Sequence, residues 1–515
     1  MSHKQPSTRP AEIRELHFQH NSTLAINRLP SELLYRIFAA YADSVREHNQ
    51  ERLEFGWRVT LLHVCRWWRQ VAMSFPLLWN RIIVTNPEFV EFAMSLAGDT
   101  PLVVESNLDR FERQYLDSHE MVFTQFHRVR QATFRINPAI ATLLQVCGLP
   151  SEAPSLERLI MGVTGGVHVI PSFPSVSLPR LGELELYGAT TNILTSLTRP
   201  TLTSLSLEKA LPPIEIHDLV KVLDGLPFLR KLILDKCTND STVISLQPSR
   251  AVTLPLLQEL EIVERGNGVT LYLLLKGLHS QPPVVRLIAS GDILGGNEDP
   301  LVFVLQAFRE KIMPSSTERP MTRPRSIRFY GDSLSLHIEL WTTTRSLDSV
   351  NTTQADVVLG LPFTTSRIQA GRRFMATVLS GVDLAELCTL NVDYGLGCPL
   401  WNHDSSWIAR MANLRELSLC SETCGDFLRT IQDTRNFPNL QVLKLIDCDF
   451  GSRPEGHGGR TLFSVAKRFL QERHLKHVTI ISPANLSANE RDAFLSTGIA
   501  EEIEIVGEPI VRHMD

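Results

Sequence analysis

At 515 residues the chain has length for about three domains or for one elongated repeat domain, and 43% hydrophobic with 21% charged residues is ordinary for a globular protein. A formal net charge of -5 and a pI near 6.4 give no general electrostatic pull toward nucleic acid or an anionic membrane, so neither is expected as a partner. Eight cysteines are too sparse for a disulfide-built scaffold.

Residues 1 to 24 are polar, without apolar periodicity, and read as a mobile tail. They contain no signal-peptide core, and no later stretch reaches the roughly 18 apolar residues of a membrane helix, which points to an intracellular, cytoplasmic or nuclear, chain with reduced thiols. Leu29-Pro30 then closes the leader, and a helix is expected to open at Pro30 or Ser31. Leu33, Leu34, Ile37, Phe38 and Tyr41 recur at helical spacing, a stripe wide enough to pack on a core and on something outside it. A polar run from Ala42 to Gly56 interrupts. A second helical pattern brings Leu61, Leu62, Val64, Cys65, Trp68, Val71 and Ala72 round most of one helix and stops at Ser74-Phe75-Pro76, before a short element with Leu77, Leu78 and Trp79. About fifty residues are too few to bury this apolar surface alone, so part of it faces either the rest of its own chain or another body.

Leu29-Pro30-x-Glu32-Leu33-Leu34-x-x-Ile37-Phe38, Val64-Cys65-Arg66-x-Trp68-Arg69-x-Val71-Ala72 and Pro76-x-Leu78-Trp79 together resemble the F-box in the form common in fungal F-box proteins. The resemblance implies a three-helix module that docks on a Skp-type adaptor and through it on a cullin-based ubiquitin ligase. Carried over by position, the adaptor-binding residues are Leu29, Pro30, Leu33, Leu34, Ile37 and Phe38 of the first helix and its start, with Val64, Cys65 and Trp68 of the second. The polar insert between those helices departs from the compact form of the family.

Beyond residue 95 an apolar residue is followed three and five positions later by two more, a pattern whose period-two tail suits a short strand. It begins at Val129, Leu156, Leu181, Leu202, Leu229, Leu257 and Val284, and again at Leu387, Leu414, Leu440 and Leu475. Most spacings fall between 21 and 28 residues, which resembles the leucine-rich repeat. Cys237 and Cys448, placed where such a repeat turns out of its strand, read as packing residues. Turn signals precede several strands, as in Leu178-Pro179, Arg199-Pro200, Leu226-Pro227, Leu254-Pro255 and Phe437-Pro438, while Ile216 to Leu223 and Leu271 to Leu278 have helical apolar content. Between 284 and 387 the motif blurs. Ile327 to Phe329, Leu334 to Leu340 and Val357 to Leu359 look like strands, and Arg319 to Arg325 and Thr342 to Thr353 like loops, so an irregular continuation is expected there, a break into two arcs being the alternative.

The expected fold class is α/β, a three-helix F-box followed by a leucine-rich-repeat solenoid with parallel strands inside and helices outside. Its parts are the tail at 1-24, the helical module at 25-83, a linker or first cap at 84-100, a repeat arc at 101-290, irregular repeats at 291-380 and a second arc at 381-515.

Catalytic patterns do not emerge. The sequence has no phosphate-binding Gly-x-x-x-x-Gly-Lys-Ser/Thr loop, no Gly-x-Ser-x-Gly elbow and no His-Glu-x-x-His helix. Gly295-Gly296 and Gly451 to Gly459 read as turns, and His403-Asp404-Ser405-Ser406 as a surface loop. Cys420-x-x-x-Cys424 is half of a zinc motif without a second pair, so structural thiols, no metal and no cofactor are expected. Functional surface on a repeat protein lies chiefly on its exposed strand positions. Glu183, Glu185, Tyr187, Glu208, Lys231, Asp235, Glu259 and Glu261 are the candidates for holding a target, and their acidic lean suits a basic segment. The leading expectation is a non-catalytic substrate receptor that holds a target within reach of a ubiquitin-loading enzyme. A repeat scaffold with no ligase role is the alternative, and an enzyme, which needs a pocket with perturbed titratable groups, comes third.

Overall fold

A computed structural model describes residues 9–48, 54–106, 114–147, 152–163, 177–238, 252–265, 269–278, 284–290, 323–332, 335–345, 355–362, 378–380, 382–394, 407–420, 423–431, 436–452, 461–473, 475–496, 498 and 500–507. The loops at Gly295-Gly296 and His403 to Ser406, most of the Gly451 to Gly459 loop and Cys398 lie outside them. The chain divides into two compact units, Met1–Leu202 and Thr203–Asp515.

The first unit opens with helices. The leader, polar as it is, forms α1 (Arg9–Thr23) and a 3-10 turn at Ala25–Arg28. Pro30 stands just outside α2 (Ser31–His48), its carbonyl accepting the Leu34 N–H at 3.2 Å. The helix runs well into the segment read as a polar interruption. The second expected helix is two, α3 (Glu54–Val64) and α4 (Arg66–Ser74), split at Cys65, whose extended backbone (φ -158, ψ 172) stops the first and whose thiol caps the second by accepting the Trp68 N–H at 3.4 Å. Apolar periodicity alone cannot show that break, because it continues through it.

Five parallel strands follow: β1 (Arg81–Ile83), β2 (Leu102–Ser106), β3 (Val129–Ile136), β4 (Arg158–Val163) and β5 (Glu183–Tyr187). They pair in chain order. The helices α5 (Pro87–Ala97), α6 (Gln114–Thr124) and α7 (Pro138–Cys147) connect the first four, as parallel neighbours require a crossover. α8 (Thr191–Leu197) follows β5 and buries Ile193, Leu194 and Leu197.

In the second unit β6 (Ser204–Glu208), β7 (Lys231–Asp235), β8 (Glu259–Arg265) and β9 (Val284–Ser290) are parallel in chain order, with α9 (Ile216–Asp224) and α10 (Val269–Gly277) where the sequence places helices. The blurred region holds β10 (Ser326–Asp332), β11 (Ser335–Trp341) and β12 (Val357–Pro362), close to the strands expected from the sequence, but in inverted spatial order. β9 pairs with β12, β12 with β11, β11 with β10, and β10 with β13 (Thr389–Tyr394). Only two residues separate β10 from β11, too few for the crossover a parallel pair needs, and the two strands pair antiparallel, so β11 runs against both its neighbours and the parallel run resumes on either side. From β13 it continues through β14 (Glu416–Cys420), β15 (Val442–Ile446), β16 (Leu475–Ile481) and β17 (Ala500–Val506).

Two devices recur around these strands. Leu156, Leu181, Leu202, Leu229, Leu257, Leu387, Leu414 and Leu440 each donate their N–H to the carbonyl three residues back, at 3.1 to 3.3 Å, a turn just before the strand. The sequence's Leu-Pro, Arg-Pro and Phe-Pro signals put proline second in that turn, where its fixed φ fits. The residue after the strand is left-handed at Gly188, Lys209, Lys236, Asp447, Ser482 and Gly507. At Gly188 (φ +68) only glycine fits, because a Cβ would lie 2.9 Å from the Val163 carbonyl. Cys237 and Cys448 are fully buried.

Candidate functional site

In the helical module, α2 divides its apolar stripe between two rows. Leu34, Phe38 and Ala42 are buried at 0%, 1% and 2% exposure, whereas Leu33, Ile37 and Tyr41, one residue earlier in each turn, remain 42%, 41% and 43% exposed. Both rows follow from the i, i+4 spacing that stacks side chains on one helical face. The inner row meets α4, with the Phe38 ring 5.0 Å from that of Trp68, and Tyr35 stacks on Phe75 at 4.4 Å. Trp79 is buried and donates its Nε1–H to the Ala72 carbonyl at 2.8 Å.

Asn27 ties the start of the module to its end. Its Oδ1 accepts from Trp68 Nε1 at 2.8 Å, and its Nδ2 donates to the Asn21 carbonyl at 2.7 Å. Sequence periodicity gave no sign of this residue, whose spacing to Trp68 is not helical. Arg58, only 2% exposed, reaches from α3 to the β1 backbone, donating to the Arg81 carbonyl at 2.7 Å, and Trp79 meets Phe92 of α5 edge-on at 5.4 Å. The module is thereby built onto the first strands of its own unit while its outer row stays bare.

Of the residues matched to the adaptor surface, Leu33, Ile37, Val64 and Pro30 are exposed, and Leu29, Cys65 and Trp68 are half-buried. Leu34 and Phe38 are core residues and must be withdrawn from the contact surface, since a side chain closed in its own module meets no partner without unfolding it. Exposed apolar residues that the motif does not mark are Leu24, Ile26, Tyr41, Trp67, Met73 and Leu77.

The strand positions expected to hold a target stand on the face away from the leucine core, exposed or half-buried. They are more self-neutralised than their sequence suggests. In the first unit Arg158 pairs with Glu183 at 3.3 Å and Glu185 at 2.7 Å. In the second, Lys231 pairs with Glu259 at 2.8 Å, Arg286 with Glu261 at 3.6 Å, Lys209 with Glu208 at 3.0 Å and Lys236 with Asp235 at 3.6 Å. The acidic lean is thus offset by cations on a neighbouring strand or just past the strand's own end.

Among the described residues no group of three His, Cys, Asp or Glu is placed to hold a metal. Cys420 and Cys424 are buried; burial pushes the Cys420 thiol well above its ordinary range, and the Cys424 thiol is raised first by its hydrogen bond with Cys448 and then by burial. A cavity in the first unit is lined by apolar side chains alone, including Phe123, Phe126, Phe134, Ile140, Met161 and Leu197, so it offers no acid, base or nucleophile. No helix among the described residues is long and apolar enough to cross a membrane.

Residues 26–85 match the family model described as F-box-like. The chain therefore carries an F-box-like domain, and it is the α2–α4 module with its bare apolar row. F-box domains generally bind Skp-type adaptors and serve as adaptors of ubiquitin ligases. A comparison with the curated proteins gave no match. Among solved structures, the crystal structure of a TLR13–ssRNA13 complex is similar over 77% of this chain at 13% identity, with a TM-score of 0.28. This chain covers 52% of that one, about half its length, and at that TM-score the likeness bears on neither fold nor function.

Proposed function

We propose that the chain is a substrate-receptor subunit of a cullin-based ubiquitin ligase, its F-box-like domain binding a Skp-type adaptor and its strand repeats, a leucine-rich-repeat solenoid, holding a target protein. The observation that carries this reading is the division of α2 into a buried row at Leu34 and Phe38 and a bare row at Leu33, Ile37 and Tyr41. A helix that served only as the end cap of a repeat scaffold would turn its apolar stripe inward. Leaving about two-fifths of each of three large apolar side chains on one face in water is disfavoured unless a partner covers them. Catalysis then belongs to the assembled partners, and the chain acts by holding a target near the ubiquitin-loading enzyme. Such a receptor works in the cytoplasm or nucleus.

The test is capture of a purified Skp-type adaptor by the full chain, wild type beside Leu33→Asp/Ile37→Asp. The exposed positions tolerate a carboxylate in the free chain, whereas an apolar interface does not. Capture by wild type and loss in the variant, with equal melting temperatures, supports the reading. Failure of the folded wild-type chain to bind leaves the scaffold reading.

A further inference from the structure

Where β11 ends, the chain turns back over the outward face of the second unit. Ser326 opens β10 and Thr389 opens β13, adjacent in register; the next residues, Ile327 and Leu390, belong to the core, so both hydroxyls stand on the outward face. There they hold the main chain of Arg345: its N–H donates to Ser326 Oγ at 2.8 Å, and its carbonyl accepts from Thr389 Oγ1 at 2.8 Å. The Ser326 hydroxyl in turn reaches the Thr343 and Arg345 carbonyls, each at 3.4 Å. Residues 342–345 thus form a strap from β11 across β10 to β13.

The strap closes these two positions. Ser326 and Thr389 are 0% exposed, whereas Glu416, Val442 and His477, which follow Thr389 in register on β14, β15 and β16, are only half-buried. With the strap lifted, two hydroxyls on neighbouring parallel strands would stand open, placed to accept the N–H and to donate to the carbonyl of one residue of a crossing chain.

The strap is fixed at its root and lightly held beyond it. Trp341 just before it is buried with Ala355 and Val358, and Asp356 Oδ2 accepts from the Thr342 N–H at 2.7 Å and from Thr342 Oγ1 at 2.6 Å. Past that root the strap has no apolar side chain to bury: residues 342, 343 and 344 are exposed threonines and Arg345 is half-buried. Arg345 Nε is closed off without a hydrogen-bond partner among the described residues, a cost that the closed strap carries and opening removes. A segment held by hydrogen bonds alone, each largely replaceable by water, opens locally while the sheet beneath it stays folded.

We infer that residues 342–345 are an autoinhibitory strap, filling with the chain's own main chain a seat at Ser326 and Thr389 that takes an extended segment of the target protein when the strap opens. Both hydroxyls read main-chain groups, which any extended segment presents. The target therefore competes with the strap, and its apparent affinity is the intrinsic affinity scaled by the open fraction. The inference rests on the receptor reading for its target.

Arg345→Pro removes the N–H that holds the strap and leaves both hydroxyls in place. Random 12-residue peptides are selected by display on this full-length variant, and the enriched peptides are titrated by fluorescence anisotropy, every variant first being shown by its melting curve to be folded. Expected is binding at least fivefold tighter to Arg345→Pro than to wild type, and at least fivefold weaker once Ser326→Ala and Thr389→Val are added to Arg345→Pro. A smaller difference in either comparison, or no enrichment, overturns the strap. A second measurement needs no variant: in native-state hydrogen exchange of the wild-type chain the Arg345 amide should exchange at least 100-fold faster than the core amides of β10 and β13, and a smaller ratio overturns local opening and the strap with it. Failure of the folded wild-type chain to capture the adaptor overturns the receptor reading and not the strap, which the peptide and exchange results decide.

Discussion

The two rows of α2 separate stability from docking, and alanine substitutions on each row should report different quantities. Phe38 is 1% exposed and packs on Trp68, so Phe38→Ala opens a cavity in the module and costs about 3–5 kcal/mol of stability. Leu33, Ile37 and Tyr41 keep 42%, 41% and 43% of their surface in water. Full burial of such a side chain contributes about 2 kcal/mol, so covering what remains contributes about 1 kcal/mol each. The triple variant Leu33→Ala/Ile37→Ala/Tyr41→Ala should therefore weaken adaptor binding by about 3 kcal/mol, roughly 100-fold in Kd. Its own melting curve should shift far less than that of Phe38→Ala. Calorimetric titration with a purified Skp-type adaptor, paired with denaturant melts of each variant, reads both effects. A triple variant that binds within twofold of wild type, or that unfolds as readily as Phe38→Ala, would refute the division.

Asn27→Ala removes the acceptor of Trp68 Nε1 and the donor to Asn21, and should lower stability by about 1–2 kcal/mol in denaturant melts; a shift under about 0.3 kcal/mol would show the tie to be idle. His119 is buried between Ser106 Oγ at 2.8 Å and the Tyr115 carbonyl at 2.6 Å, and desolvation holds its pKa below the ordinary 6.5 despite that carbonyl. Its neutral form is favoured in the fold, so this stability is fully present above pH 6.5 and declines as pH falls below it, where the unfolded chain takes up the proton first. Melts from pH 7.5 to 5 should fall more steeply for wild type than for His119→Gln, and parallel curves would contradict the assignment. Gly360 faces His337 across β12 and β11, where an added Cβ would lie 2.8 Å from the imidazole Nδ1. Gly360→Ala should cost about 1–3 kcal/mol by displacing the ring from its stack on Tyr330 at 4.9 Å, and an unchanged melting temperature would count against this packing. Arg158→Ala breaks two ion pairs, but all three side chains are 38% to 50% exposed, so the loss should stay under about 1 kcal/mol in the same melts; a larger loss would make these pairs a structural network.

Much of the strand framework was legible because its cause is local. An apolar residue, two spacers and two alternating apolar residues define a turn and a strand within six positions, and all eleven motifs contain or lead directly into a strand. Three features were hidden for identifiable reasons. The inverted order of β10, β11 and β12 depends on which strands meet across distant sequence, and their alternation is the same in any order. The split at Cys65 hides inside unbroken helical periodicity, and the helical part of the polar insert, through His48, lacks the strong apolar stripe that marks a packed helix.

The candidate surfaces were legible in type but not in membership. The motif marks Leu33 and Leu34 alike, yet the phase of α2 against α4 puts one in water and the other in the core. Likewise the glutamates at 183, 185, 259 and 261 read as a free acidic face until the register brings Arg158, Lys231 and Arg286 beside them.

The most direct test is hydrogen exchange of the full chain with and without a saturating Skp-type adaptor. The receptor account predicts slowed exchange concentrated in α2 and α4 of the F-box-like domain, with the strands β6 to β17 of the second unit unchanged. Protection confined to those strands, or none anywhere, would contradict it.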